Sequence, residues 1–296
     1  MLPARQYIHE VNASTALSSL NEFRGRFQKL YENSPIRAIK YFLYYAATVG
    51  FDPLSEAMAF WATNGTLYIS ILLDSEGDNE EKLALENAAR PLGVLGQFDP
   101  QFYFKFAYSV AALTNADHIL RALHLAPALG DYSILIPWLR GLEKNADSRV
   151  RARAAKLLCQ LRPNSGNIQR HLQSADDRVR ASALEALWDS KVALRESDAF
   201  RFFRSALTDS HHRVVANALV GLYRLGELEA MQKMISLSSN KQHRMRAAMA
   251  WAMGVVEDSR AIPTLEALKA DRCYAVRQRA NHSLAALSPQ QAYWEA

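Results

Sequence analysis

Eight arginines carry the strongest chemical signal in this chain. They flank one apolar residue that returns five times: Arg149 and Arg151 around Val150, Arg178 and Arg180 around Val179, Arg213 before Val214, Arg244 and Arg246 around Met245, and Arg277 after Val276. A guanidinium is planar, always charged and offers five N–H donors in a fixed fork, so a regular row of them matches phosphate or carboxylate oxygens presented at a regular interval. The same fork can brace the protein instead, by gripping an acidic or capping turn of the neighbouring segment. Both uses stay open on the residues alone. The third cluster has Val215 where the others place a second arginine, so a charge row on that side is interrupted there.

The anchors are separated by 29, 35, 31 and 31 residues. A recurrence of about 31 residues marks a helical solenoid, in which each helix pair cannot bury its apolar face alone and must stack on its neighbours. Each anchor opens a stripe at helical spacing: Val150, Ala154, Leu158; Val179, Ala183, Leu187; Val214, Ala218, Leu222; Met245, Met249, Met253; Val276, Ala280, Leu284. The small residue one turn after most anchors lets a neighbouring helix come close. Five residues before each anchor stands Asn145, Ser174, Asp209, Asn240 or Asp271, and these residue types are expected to accept hydrogen bonds from the open N–H groups of the helix that follows. Partner helices are expected at 134–142, 198–207, 228–237 and 262–268, the last with Pro263 in its first turn, where a missing N–H costs little.

The run Asp258-Ser259-Arg260-Ala261-Ile262-Pro263-Thr264-Leu265-Glu266-Ala267-Leu268, followed by Ala275-Val276-Arg277-Gln278-Arg279-Ala280, resembles the HEAT repeat. The likeness is to the short bacterial form of phycobilisome-lyase-like proteins. It covers about residues 131–288 as five units. It implies an all-α, HEAT/armadillo-like right-handed α-solenoid, with residues 1–130 as a less regular helical N-terminal region, open between degenerate repeats and a separate domain, and 289–296 as a C-terminal tail. Its bearing on activity is broad, because scaffolds, lyases and hydroxylases share the repeat. HEAT-type deoxyhypusine hydroxylases carry several His-Glu dipeptides that ligate two irons, whereas this chain has one such pair, His9-Glu10, outside the repeats. HEAT-like DNA glycosylases hold a damaged nucleotide with aromatics and a carboxylate; Trp138, Trp188 and Asp189 are of the right type, but no motif ties them to that family. A bilin lyase needs an acidic or tyrosine-bearing cavity, and no such set stands out.

Composition narrows the classes further. The 296 residues, 49% of them hydrophobic, suffice for a long continuous core. The net charge of +5 is uneven: residues 1–140 hold 11 Lys/Arg against 14 Asp/Glu, and residues 141–296 hold 24 against 16, so an acidic partner would meet the repeat half. The longest uncharged apolar run, residues 41–51, is about half the roughly 20 residues of a membrane span. No secretory apolar run opens the sequence, and a cytoplasmic location is expected. Cys159 and Cys273 have no metal or redox spacing and read as small buried residues. His211 and His212 would point about 100° apart on a helix, cannot grip one ion together without a third ligand, and read as turn residues at a helix start. Twenty of the 29 aromatic residues lie before residue 141, which favours a bulkier core there over an aromatic groove.

In the front half, helices are expected at 13–32, 35–49, 53–62, 82–95, 101–113 and 117–125, with residues 64–73 open between strand and buried helix and 74–81 as an exposed loop. The expectation for the whole is a non-catalytic bacterial scaffold, without metal or cofactor, that binds another protein of acidic surface through a concave face made by the second helix of each unit. Arg149, Arg151, Arg178, Arg180, Arg213, Arg244, Arg246 and Arg277 are its candidate contacts. The alternatives are a nucleic-acid-binding protein, glycosylase-like included, and a bilin lyase-like enzyme. The oligomeric state stays open.

Overall fold

The computed structural model describes residues 101–189 and 195–291, with residues 25, 26, 29, 30, 32, 33 and 69 besides. These isolated residues are helical, and Ile69 is buried. The other expectations for residues before 101 lie outside the described residues, as does the pair His9-Glu10. Among the described residues there are helices and short 3-10 turns and no strand. The chain forms two compact units, residues 1–138 and 139–296.

In the first unit, α1 (Phe102–Ala111) buries Phe102, Phe106 and Val110, a four-residue spacing that makes one apolar stripe. Its opposite face leaves Phe104 67% and Tyr108 80% exposed. Thus the aromatic richness of this half builds core at Phe102 and Phe106 and surface at Phe104 and Tyr108. Helix α2 (Ala116–Leu125) starts at Asn115, whose side chain accepts hydrogen bonds from the N–H groups of Asp117 and His118.

Helix α3 (Ile136–Leu142) runs across the boundary between the units. The second unit then alternates α4 (Ser148–Leu161), α5 (Ser165–Leu172), α6 (Asp177–Asp189), α7 (Glu196–Ala206), α8 (His212–Arg224), α9 (Glu229–Leu237), α10 (His243–Val256), α11 (Ile262–Leu268) and α12 (Tyr274–Gln291). Helices α4, α6, α8, α10 and α12 are the five second helices, and each packs along the next. Helices α5, α7, α9 and α11 each pack on the second helix that follows. This sequential stacking makes the unit an all-α, HEAT-like solenoid.

The stripes account for the stacking. Val150, Val179, Val214 and Val276 are buried, as are Ala154, Ala183, Ala218, Met249 and Ala280 one turn later; Met245 is half-buried and packs against the core. Burying each such valine is worth about 1.5–3 kcal/mol. Two contacts are closer than the pattern foretold. A Cβ on Gly221 of α8 would sit 2.3 Å from the ring of Phe203 on α7, and one on Gly254 of α10 would sit 2.4 Å from Ser283 Oγ on α12. Ser283 is buried and donates to the Ala250 carbonyl at 2.8 Å, which cross-links α12 to α10.

The turns before the second helices differ from the expectation in one respect. Asn145, Ser174, Asp209, Asn240 and Asp271 do not cap the helices directly. Each accepts the N–H two residues on, that of Asp147, Asp176, His211, Gln242 and Cys273, at 2.8–3.2 Å. The helix caps are the residues so fixed: Asp147, Asp176 and His211 accept the N–H groups of Arg149, Arg178 and Arg213. The repeated side chain therefore shapes the turn, and the turn presents the cap.

Candidate functional site

The eight arginines divide into two sets with different surroundings. Those one residue after the anchor point along the stack. In Arg151, Arg180, Arg246 and Arg277, Nη1 donates to two carbonyls of the turn just before its own helix: Asn145 and Ala146, Ser174 and Ala175, Asn240 and Lys241, Asp271 and Arg272. The other edge of the fork, Nε and Nη2, holds the carboxylate of the next unit: Arg151 on Asp176, Arg180 on Asp209 and Arg246 on Asp271, at 2.6–3.0 Å. The innermost pair is Arg246–Asp271, each side chain 8% exposed. Hydrogen bonding from Arg246 holds the Asp271 carboxyl below its usual value; for Asp209 burial is the largest single effect and acts upward, but the hydrogen bonds from Arg180 and the His211 N–H together outweigh it and lower that carboxyl too. These three arginines are struts between repeats.

The interruption at Val215 now has a counterpart. Asn240 stands in the next unit's turn, where Asp209 and Asp271 stand in others, so the missing arginine meets a missing carboxylate. The two losses occur in register and leave no buried charge alone. That pairing was readable in the sequence, had the turn residues been compared with the anchors one unit back.

The arginines one residue before the anchor point away from the stack. Arg149 is exposed and folds onto its own cap, Asp147, at 2.7 Å. Among the described residues, the exposed side chains of Arg178, Arg213 and Arg244 have no hydrogen-bonding or ion-pair partner. All three lie in the first turn of a second helix, where the unpaired N–H groups add positive potential. The charges of Arg213 and Arg244 are felt by His212. Its imidazole is pushed down to about 4 by burial first, then by the charges of His211, Arg213 and Arg244, against a smaller opposing effect of Asp177. The His211 and His212 rings lie 4.2 Å apart, and His211 Nε2 reaches Asp177 at 3.3 Å. His211 caps α8, and His212 is the first residue of that helix.

This has a consequence for pH. Above pH 6.5 His212 is neutral folded or unfolded. Between 6.5 and about 4 the unfolded chain takes up the proton first, so stability declines through that window and levels off below it. The melting temperature of the His212→Gln variant should fall less than that of the unaltered chain between pH 6.5 and 4. Parallel curves for the two would refute the assignment.

Other chemistry-bearing groups are engaged in structure. Trp188 donates its indole N–H to buried Asn217 at 3.0 Å, and the Arg224 guanidinium stacks 4.6 Å over its ring, so the N–H and one face are engaged within the protein. Arg224 also donates to the Trp188 carbonyl and ties that helix end to α8. Tyr223, Asp258 and Arg260 form a second knot: Arg260 and then the Tyr223 hydroxyl donate to Asp258 and hold its carboxyl far below the usual value, and the hydroxyl accepts from Arg260. Cys159 is buried, and burial pushes its thiol up to about 12, which makes it inert. Cys273 is only half-buried, a departure from the expectation for both cysteines.

A buried polar cluster had no signal in the pattern: His171 reaches Glu143 through Nε2 at 2.7 Å and the Asn167 carbonyl through Nδ1 at 2.8 Å. Among the described residues no group of three His, Cys, Asp or Glu side chains is placed to hold a metal ion. None of their helices is long and apolar enough to cross a membrane.

No family model matches this chain, and no curated protein does. Among solved structures, human deoxyhypusine hydroxylase in complex with glycerol is similar at 15% identity, over 88% of this chain and 99% of that one, with a TM-score of 0.37. YibA of Escherichia coli is similar at 13% identity, over 93% and 98%, with a TM-score of 0.39. An engineered protein is similar at 14% identity, over 91% and 83%, with a TM-score of 0.29. Likenesses of this degree carry no conclusion about activity. The HEAT-like fold stands on the stacked helix pairs themselves.

Proposed function

We propose that this chain is a non-catalytic HEAT-like scaffold that binds the acidic surface of another protein on the side of its second helices. The contacts are Arg178, Arg213 and Arg244. The observation that supports this reading is their exposure, with no hydrogen-bonding or ion-pair partner among the described residues, in equivalent positions on consecutive second helices. Packed helices are about 10 Å apart, so the three charges form a stiff row whose spacing is set before binding, and little entropy is lost when a partner aligns its carboxylates with them. Arg151, Arg180 and Arg246 are not among the proposed contacts, because four of the five N–H groups of each are bonded to the preceding turn and to the next unit's carboxylate.

The test is a chain with Arg178, Arg213 and Arg244 all changed to Glu. Compared with the unaltered chain in capture from lysate of its source, it should lose the acidic protein partner while its circular dichroism and melting temperature stay the same. Retention of every captured protein would sink the proposal. A 20-base-pair duplex DNA serves as the competing probe. Three phosphate contacts would make the logarithm of its affinity fall with the logarithm of salt at a slope of about −2.7. Such a slope, lost in the triple variant, would replace the protein partner by nucleic acid.

A further inference from the structure

The face that carries Arg178, Arg213 and Arg244 continues beyond that row. On a helix, residues four, seven and eleven positions on return to one face. From Arg213 these steps lead to Asn217 and Arg224, and from Arg244 the step of seven leads to Trp251. Trp188 of α6 joins them: its indole N–H is bonded to Asn217 of α8, Arg224 stacks on its ring, and its ring centroid lies 6.3 Å from that of Trp251 on α10. Two half-buried tryptophans, from α6 and α10, thus meet across α8. They give the face an aromatic floor beside its cationic row.

Two lengths describe this surface. Along the stack the arginines recur once per second helix, about 10 Å apart. Across it, Trp251 is seven residues from Arg244, about 10.5 Å along α10. An α-helix laid along the stack fits both. It repeats one face every seven residues, about 10.5 Å, and is about 10–12 Å wide with its side chains, so one flank meets the arginines while the other reaches the tryptophans. A β-strand returns to one face about every 6.6 or 13 Å and falls out of step with the row. Two carboxylates close to the row have partners of their own: Asp177 lies 3.3 Å from His211 and Glu185 lies 2.8 Å from Lys156.

We propose, resting on the arginine row as the contact named above, that its occupant is an amphipathic acidic α-helix of the partner protein. The helix lies along the stack, with carboxylates at i, i+7 and i+14 on Arg178, Arg213 and Arg244 and an apolar stripe on Trp188 and Trp251. Arginine and tryptophan suit such a contact, because both rings here are already held by packing and bring a large area at little cost in entropy.

The experiment uses the full chain, 15N-labelled at arginine and tryptophan, and three synthetic 22-residue peptides of alanine and glutamine with equal helicity by circular dichroism. The first has Glu at its positions 4, 11 and 18 and Leu at 5, 12 and 19, so that the two stripes lie about 100° apart. The second keeps the leucines and moves Glu to 4, 9 and 16, which divides the charges between two faces. The third keeps the glutamates and replaces Leu by Gln. The second and third should bind at least tenfold more weakly than the first, as should the chain with Arg178, Arg213 and Arg244 changed to Glu for the first peptide. The first peptide should shift the Nε–H signals of those three arginines and the indole signal of Trp251, and leave those of Arg151, Arg180 and Arg246 in place. Equal binding of the first and second peptides, lost from both in the triple variant, would overturn the helix and keep the row. So would failure of all three peptides to bind while the triple variant still loses its lysate partner. Indole signals of Trp188 and Trp251 that do not move would overturn the apolar stripe, a readout that needs no variant to fold. A triple variant that keeps both the first peptide and every lysate protein would overturn the row itself.

Discussion

Replacing Arg246 with alanine should destabilise the protein by about 3–5 kcal/mol, because it strands the Asp271 carboxylate with most of its surface away from water. Replacing Arg244, two residues away and exposed, should change stability by no more than about 0.5 kcal/mol. The contrast is the informative part, since both residues flank Met245 and look alike in the sequence. Urea denaturation of the two variants measures it. The unit interface at Val215 and Asn240 offers a natural remedy: the double variant Arg246→Val with Asp271→Asn copies that pair and should recover part of the loss. Acid acts on the same strut. Asp271 has its carboxyl held below 3.8, so the strut contributes fully at neutral pH and fades as pH falls through the lowered value. A cost below about 1 kcal/mol for Arg246→Ala would show that the strut is not structural.

The Phe203→Ala variant is expected to cost about 3–5 kcal/mol, the range for emptying an aromatic site in a close-packed core. Phe203 is 1% exposed and lies against Gly221, where a Cβ would meet its ring at 2.3 Å. Gly221→Ala alone should therefore cost about 1–3 kcal/mol by overpacking, even though alanine favours a helix more than glycine does. Combined, the two changes should cost less than their sum, since the added methyl enters the space that the ring has left. Melting of the two single variants and the double one gives the coupling directly. Strict additivity would mean that the close approach of α7 to α8 at Gly221 is not what holds the ring.

The repeat and its stripes were open to a reader of the sequence because a solenoid is made of local units. Val150, Val179, Val214, Met245 and Val276 keep one phase relative to their helices, and a helix period is written in consecutive residues. Helix α11, with Pro263 in its first turn, lies at 262–268 as the pattern foretold. The buried contact of His171 with Glu143 was not open in this way. The two residues are 28 apart, Glu143 in the turn after α3 and His171 on α5, and a single histidine on a helix has no periodic signature.

The arginines mark the division most clearly. Composition and spacing alone determined that a guanidinium would recur at each unit, and that its two uses, strut or contact, would compete. Only the tertiary structure separated them. A residue before the anchor and a residue after it point about 200° apart around a helix axis, so one faces the next repeat and the other faces water. Which is which depends on the side from which the neighbour stacks, and that is a property of packing between units. Stacking also decided the Gly221 approach, because it depends on what the adjoining helix brings to the site.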